Sequence, residues 1–412
     1  MSKRTTNGLA QPRLSRREAL GLAAAAVLTA GISGTLYAAP ARSPRFLLVF
    51  LRGGYDATNL LIPYSSSFYF ETRPTIAIPR PEEGRPDGAL ALDADWALAP
   101  AVRDSLGKLY QQKQLAFVPF AGTDDLSRSH FETQDSIELG QPLGAARDYR
   151  SGFMARLADA LAGAGRQAPS IAFTDALPLA FRGAEQIPNL SLQHIDQPFD
   201  ERQAQILSGM YTGRPLQTSV QDGLALRAQV AQTFAEEMRA ADRNAIGTRS
   251  FEIQAERIAR LMLGSYRVGF VDVGGWDTHV NEGAGQGHLA TNLAALGRGL
   301  VAFSTALGDE WRNTVVVVLS EFGRTFRENG NRGTDHGHGT VYWVLGGSVA
   351  GGRIAGEQAR VAAGSLFQDR DYPVLTDYRG LLGGVFRGLW GLTAQRCEQV
   401  FPGARPLDLQ LV

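Results

Sequence analysis

Two kinds of apolar pattern alternate along the chain. The first is unbroken: Phe46–Leu51 reads Phe-Leu-Leu-Val-Phe-Leu, and similar runs occur at Gln114–Phe120, Ser170–Phe173, Val268–Val271, Thr314–Leu319 and Val341–Leu345. A strand covered on one face alternates apolar with polar positions, so unbroken runs predict strands buried on both faces, as in a parallel sheet. The second pattern has helical spacing. Leu289, Leu293, Leu296, Leu300, Phe303 and Leu307 recur by fours and threes, which predicts the buried stripe of a helix of about five turns. It lies between two predicted strands, Val268–Val271 and Thr314–Leu319, where a βαβ crossover places its helix. Another helix is predicted from Tyr378 to Leu392, with Thr376 as N-cap and Leu381, Leu382, Val385, Phe386 and Leu389 on its apolar side. The stretch from about 196 to 260 is polar and rich in Ala and Gln; it predicts a helical cap or insertion. Pro79–Gly88 reads as a charged loop.

The first 41 residues carry a different signal. Lys3, Arg4, Arg13, Arg16 and Arg17 precede any acidic residue, an uncharged stretch follows from Ala19 to Ala39, and Ala39-Pro40-Ala41 offers a small-x-small cleavage site. Ser15-Arg16-Arg17-Glu18-Ala19-Leu20 resembles the twin-arginine export signal, with Ala19 where a bulkier apolar residue is preferred. The expectation is export of the folded chain by the twin-arginine machinery, a mature domain over 42–412, a periplasmic or secreted location, and no membrane span after cleavage. Retention as an anchor is the alternative, and the Ala/Gly content of the segment makes it a poor one.

Composition narrows the function classes. Of the 412 residues 20% are charged and 44% hydrophobic, as in ordinary globular proteins. Lys plus Arg and Asp plus Glu are equal at 41 each, so no global basic field points to nucleic acid. Cys397 is the only cysteine, which rules out an intrachain disulfide.

Four of the six histidines fall between Asp277 and His338, in a region with three acid-bearing motifs. Asp277-Thr278-His279 puts two ligand-type side chains on one loop after a predicted strand. Glu321 follows an almost pure Val/Leu run; an acid there must be exposed in a cleft, paired or bound to a cation. Arg324 is its possible pair, or a holder of an anionic substrate. Asp335-His336-Gly337-His338 places two histidines beside an acid just before a strand, which favours a metal site over two incidental histidines. Asp56, after Arg52-Gly53-Gly54-Tyr55, stands at the mouth of the first strand, where it is either a hard metal ligand or a cap. Ser129-His130 precedes a predicted helix: Ser129 is either an ordinary N-cap or a metal-activated nucleophile, and His130 a ligand or the group that orients Ser129. His288 and His194 read as incidental. His and carboxylate ligands fit Zn, Mn or Fe, and a carboxylate-rich half would take Ca or Mg.

With these residues in place, Phe46 to Leu392 resembles the bacterial family called domain of unknown function 1501. The marks are Leu51-Arg-Gly-Gly-Tyr-Asp56, Ser129-His130-Phe131, Gly275-Trp-Asp-Thr-His279, Ser320-Glu-Phe-Gly-Arg-Thr325, Asp335-His-Gly-His-Gly339, Gly346-Gly347 and Thr376-Asp-Tyr-Arg379. That family is similar to the alkaline phosphatase and sulfatase superfamily. The resemblance implies an α/β three-layer sandwich around a mostly parallel sheet, one or two divalent metals at the strand ends, and hydrolysis of a small anionic phosphate or sulfate ester. It further implies that Asp56 holds one metal, that Asp277, His279 and His338 hold the other, and that Ser129, ahead of Ser127 and Thr123, is the nucleophile, with Arg324 or Arg52 on the anion. Glu321 falls where the superfamily has an Asp-His pair, but Phe322 replaces the histidine, so one ligand is missing unless His336 supplies it. No Cys-x-Pro-x-Arg element is present, which excludes a formylglycine mechanism. A non-catalytic periplasmic binding or assembly protein that keeps part of the site is the alternative function.

Overall fold

A computed structural model describes residues 44–144, 146–184, 187–190, 201–222, 224–225 and 251–412. The export segment and His194 lie outside the described residues, as do 196–200, 223 and 226–250 of the expected helical insertion; the Glu201–Tyr211 helix lies within it, and the Phe251–Gly264 helix begins in it and runs past its expected end. No helix among the described residues is long and apolar enough to cross a membrane.

The strands are β1 (Arg45–Leu51), β2 (Leu61–Ile62), β3 (Leu90–Ala91), β4 (Ala97–Leu98), β5 (Leu115–Gly122), β6 (Ser170–Ala172), β7 (Val268–Val273), β8 (Thr314–Ser320), β9 (Thr340–Leu345), β10 (Arg353–Ile354) and β11 (Thr376–Asp377). They form a mixed α/β fold around an eight-stranded sheet ordered β10-β5-β9-β8-β1-β7-β6, with β11 also paired to β5; β2, β4 and β3 make a small separate sheet. In the large sheet β9 alone opposes its neighbours, and every other pairing is parallel.

The unbroken apolar runs are explained by cover on both faces. On β1, Leu47, Val49 and Leu51 pack with residues of the Phe251–Gly264 and His288–Leu307 helices. Phe46, Leu48 and Phe50 pack on the other side with the Phe153–Gly163, Tyr378–Trp390 and Ala394–Val400 helices. The His288–Leu307 helix connects β7 to β8, and these strands flank β1 in parallel. One cap differs from expectation. Asp377, not Thr376, caps the Tyr378–Trp390 helix by accepting from the Arg379 N–H, because it stands immediately before the first helical residue.

Register puts the chemistry-bearing loops at one level. Leu51 pairs with both Val273 and Ser320, so β1, β7 and β8 end together. The antiparallel β9 begins at that same edge, and the β5 end, Ala121, pairs with Thr340. Loops emerging there form a crevice outside the carboxyl ends of the strands, the usual ligand position in open α/β sheets.

Beneath the crevice lies a buried ionic knot that corrects the expected role of Asp56. Asp56 does not join the histidines; its carboxylate is engaged by Arg73 through Nη1 and, at 3.1 Å, through Nη2. It also caps the turn Ala57–Asn59 by accepting from the Thr58 N–H at 3.3 Å. The remaining Arg73 donors reach the Phe326 carbonyl at 2.6 Å, the Thr325 carbonyl at 3.1 Å and Asn59 Oδ1 at 3.1 Å. All five guanidinium N–H groups therefore have an acceptor. Both ions are buried, so removing one partner leaves the other uncompensated in a low-dielectric interior. Asp56→Ala is expected to lower the unfolding free energy of the metal-free protein by about 3–5 kcal/mol in urea titration, whereas a metal-ligand role would leave metal-free stability unchanged.

Candidate metal centre

Five segments meet at the carboxyl edge of the sheet: the loops after β1, β7 and β8, the loop entering β9, and the start of the His130–Leu139 helix that follows β5. Their backbones approach too closely for side chains. Gly53 has φ +125° and a Cβ there would lie 2.8 Å from the Asp277 nitrogen; its own N–H donates to Glu321 Oε1 at 2.8 Å. A Cβ on Gly337 would lie 2.4 Å from the Arg324 carbonyl carbon. This contact lets the β8 and β9 loops zip together, with Gly337 N–H donating to the Gly323 carbonyl and Gly323 N–H to the His338 carbonyl, both at 2.8 Å. The glycines that flank the acid–histidine motifs thus serve to bring separate loops into contact.

Three histidines converge on Asp277. His279 Nε2 is 2.9 Å and His336 Nε2 3.2 Å from Asp277 Oδ1, and His130 Nε2 is 3.6 Å from Oδ2. The other ring nitrogen of each faces an acceptor: His130 Nδ1 is 2.8 Å from Glu321 Oε1, His279 Nδ1 is 3.2 Å from Asp335 Oδ1, and His336 Nδ1 is 3.0 Å from the Arg128 carbonyl. Those partners call for a proton on each Nδ1, which leaves each neutral ring presenting an Nε2 lone pair to the centre. Two consequences follow from the geometry. His279 Nε2 and His336 Nε2 are 3.1 Å apart, and with both Nδ1 atoms protonated their lone pairs would face each other. His130 Nε2 is buried and has no hydrogen-bond partner. Both features fit a cation held between the rings and Asp277. The ligand atoms of His130, Asp277 and His336 all lie within 4.8 Å of one another.

The electrostatics favour ligation at Asp277 and His336 and oppose it at His130, whose ring a cation would have to deprotonate. Burial raises the Asp277 carboxyl, but the Arg324 guanidinium and His279 outweigh it and hold it below the usual carboxylate range. Arg324 Nη2 donates to Asp277 Oδ1 at 2.6 Å, and Nη1 is 3.4 Å from His279 Nε2. Burial also raises Glu321, and hydrogen bonds from His130 and Gln134 outweigh it in turn. The hydrogen bond to Glu321 pushes His130 up. Burial, then the positive charge of His130, pushes His336 down, favouring its neutral, ligating form.

Of the residues singled out from the sequence, His130, Asp277, His279 and His336 come together directly, and Arg324 lies against them. Glu321 and Asp335 stand one layer behind. Glu321 is buried with both oxygens engaged: Oε1 accepts from Gly53, His130 and Gln134, and Oε2 from the Ser320 hydroxyl at 2.9 Å. Asp335 Oδ1 faces His279 and accepts from Asn329 at 3.0 Å. Asp56 lies in the knot with Arg73. His338 packs its ring on Phe367, with centroids 4.9 Å apart, and is outside the cluster. Ser129 Oγ caps its helix, accepting from the Glu132 N–H at 3.5 Å. Arg52 is engaged by Asp272 at 2.8 Å and Glu138 at 2.9 Å. Phe322 walls the centre, its ring 5.0 Å from those of both His130 and His336. Gln134 escaped notice although it stands four residues from His130, on the same helix face; Arg73 and Glu282 carried no local signal.

Among curated proteins, none matches the chain. Similar solved structures include the lipoteichoic acid synthase LtaP from Listeria monocytogenes, 8% identical over 90% of this chain and 76% of that one, at a TM-score of 0.40. A protein in the alkaline phosphatase superfamily from Vibrio parahaemolyticus is 12% identical over 74% of this chain and 60% of its own, at 0.32. The C-terminal periplasmic domain of EcEptC from Escherichia coli, in complex with Zn, is 10% identical over 74% and 73%, at 0.35. The family described as protein of unknown function DUF1501 matches residues 43–401, nearly the whole described chain, and this protein belongs to that family.

Proposed function

We propose that this chain is an exported, metal-dependent hydrolase of phosphate or sulfate esters, with one divalent ion held by His130, Asp277, His279 and His336. The observation that carries the proposal is the convergence of three Nε2 atoms on one carboxylate, with an acceptor at the Nδ1 of each ring. Three nitrogens and one oxygen suit Zn, Mn or Fe better than Ca or Mg, which favour all-oxygen shells. Bound there, the ion supplies Lewis acidity and lowers the pKa of a coordinated water. The protein does the rest. Glu321, Asp335 and the Arg128 carbonyl keep the three tautomers. Arg324, buried and donating to Asp277, is the guanidinium beside the cluster, and this reading gives it the anionic group of the ester. Ser129, one residue from His130 at a helix start, remains the nucleophile candidate.

Two observations favour a second reading. Asp56 is diverted to Arg73 and Phe322 stands in for an imidazole. Among the described residues one His/Asp cluster of this kind is found, and a binding or assembly protein would need no more.

The deciding experiment combines metal quantification with a panel of phosphate-monoester, phosphodiester and sulfate-ester substrates. The hydrolase reading expects about one ion per chain and turnover of at least one ester class, with Asp277→Ala and His279→Ala losing both the ion and the turnover. Ion binding without turnover on any ester would establish the second reading, and no binding after reconstitution would end both. A pH prediction also follows from the His130–Glu321 pair in the metal-free protein. The raised His130 pKa contributes stability below the ordinary histidine value, lost as pH rises through the raised one. The lowered Glu321 pKa contributes above the ordinary carboxylate value, lost as pH falls through the lowered one. Stability from the pair is therefore greatest between those ordinary values, about 4.3 to 6.5. Glu321→Gln removes that advantage and lowers the His130 pKa, which an NMR titration of the histidine ring protons reads directly.

A further inference from the structure

We propose that Glu282, which lies outside the ligand set, is the positioning residue that fixes the spacing between the His279 and His336 loops; this rests on the reading of those histidines as metal ligands. Glu282 is wholly buried. Its Oε2 accepts from Thr278 Oγ1 and from Thr334 Oγ1, each at 2.9 Å. Thr278 stands between Asp277 and His279, and Thr334 immediately precedes Asp335-His336. One oxygen atom therefore ties together the two loops whose Nε2 atoms must stay 3.1 Å apart. The backbone reinforces the tie: Thr334 N–H donates to the Thr278 carbonyl at 3.2 Å and Glu282 N–H to the Arg332 carbonyl at 2.9 Å.

The other Glu282 oxygen has no donor and faces Asp56, the partner of Arg73. Burial, reinforced by the charge of Asp56, raises the Glu282 carboxyl well above the usual range. In its protonated form its O–H donates to Asp56 and its carbonyl oxygen accepts from both threonines, so every polar atom is satisfied. Glutamine has the same shape and hydrogen-bond pattern: a carbonyl for the threonines and an N–H for Asp56. The chemistry required at position 282 is thus a neutral acceptor–donor head, which separates Gln from Leu as replacements.

The test uses the mature protein and three variants, Glu282→Gln, Thr278→Val and Thr334→Val; each valine deletes one hydroxyl at nearly constant volume and so avoids the unfolding that Glu282→Leu risks. Zn2+ affinity is measured by calorimetry, and the 15N shifts of the histidine rings are measured in the metal-free proteins. Each valine variant is expected to weaken Zn2+ binding about tenfold or more and to shift the His279 and His336 ring nitrogens, while Glu282→Gln stays close to the parent in both. A merely structural role would lower melting temperature without moving either readout. Affinities of the valine variants within about twofold of the parent, with unchanged ring shifts, would overturn the proposal. So would a Glu282→Gln loss as large as that of the valines. Should the parent itself take no Zn2+, the metal reading fails, and the ring shifts alone decide whether Glu282 sets the loop spacing.

Discussion

A guanidinium with no access to water must find five acceptors or destabilise the fold, and Arg73 finds them by drawing the crevice loops together. Asp56 comes from the loop after β1, and the Thr325 and Phe326 carbonyls come from the loop after β8. Glu282, itself in the loop after β7, faces Asp56, accepts from Thr278 of its own loop and reaches the β9 loop through Thr334. Four loops that carry or flank the histidine cluster thus converge on one buried polar knot. Partial satisfaction of such a network would be worse than an apolar core, so the loops are held in a single arrangement.

Above the knot, a second layer sets protonation. A histidine can bind a metal through either nitrogen, and only a partner on the far side decides which. Here Glu321, Asp335 and the Arg128 carbonyl each make that choice, and each leaves Nε2 facing Asp277. Glu321 is positioned by hydrogen bonds from Gly53, Gln134 and Ser320, so its orientation of His130 is itself fixed. The acids that looked like ligands in the chain thereby divide by depth. Asp277 is central, Glu321 and Asp335 stand behind imidazoles, and Asp56 anchors the knot.

The fold was legible because unbroken runs such as Thr314–Leu319 have few explanations other than a strand covered on both faces, and the stripe Leu289–Leu307 has few other than a crossover helix. The site was legible as far as residue type carries it: Asp277, His279 and His336 stand in short motifs beside strands. Depth was not legible. Nothing local tells that Asp56 meets Arg73, because their contact depends on where the Ser67–Thr72 helix delivers the chain. His338 and His336 are two residues apart and equivalent in pattern, yet Phe367 receives the ring of one and the cluster receives the other. Glu282 sits among Val280, Asn281 and Gly283, a context that reads as an exposed loop, and is wholly buried.

The central claim is that a cation belongs between His130, Asp277, His279 and His336, with Glu321 behind and Asp56 elsewhere. Anomalous diffraction from crystals of the metal-loaded protein, collected at the absorption edge of the bound element, tests it most directly. The account predicts a single peak at bonding distance from Asp277 and the histidine Nε2 atoms, with Glu321 still on His130 Nδ1. A peak bonded to Asp56 or to His338, or density that draws Glu321 off His130 to bind the ion, would contradict it.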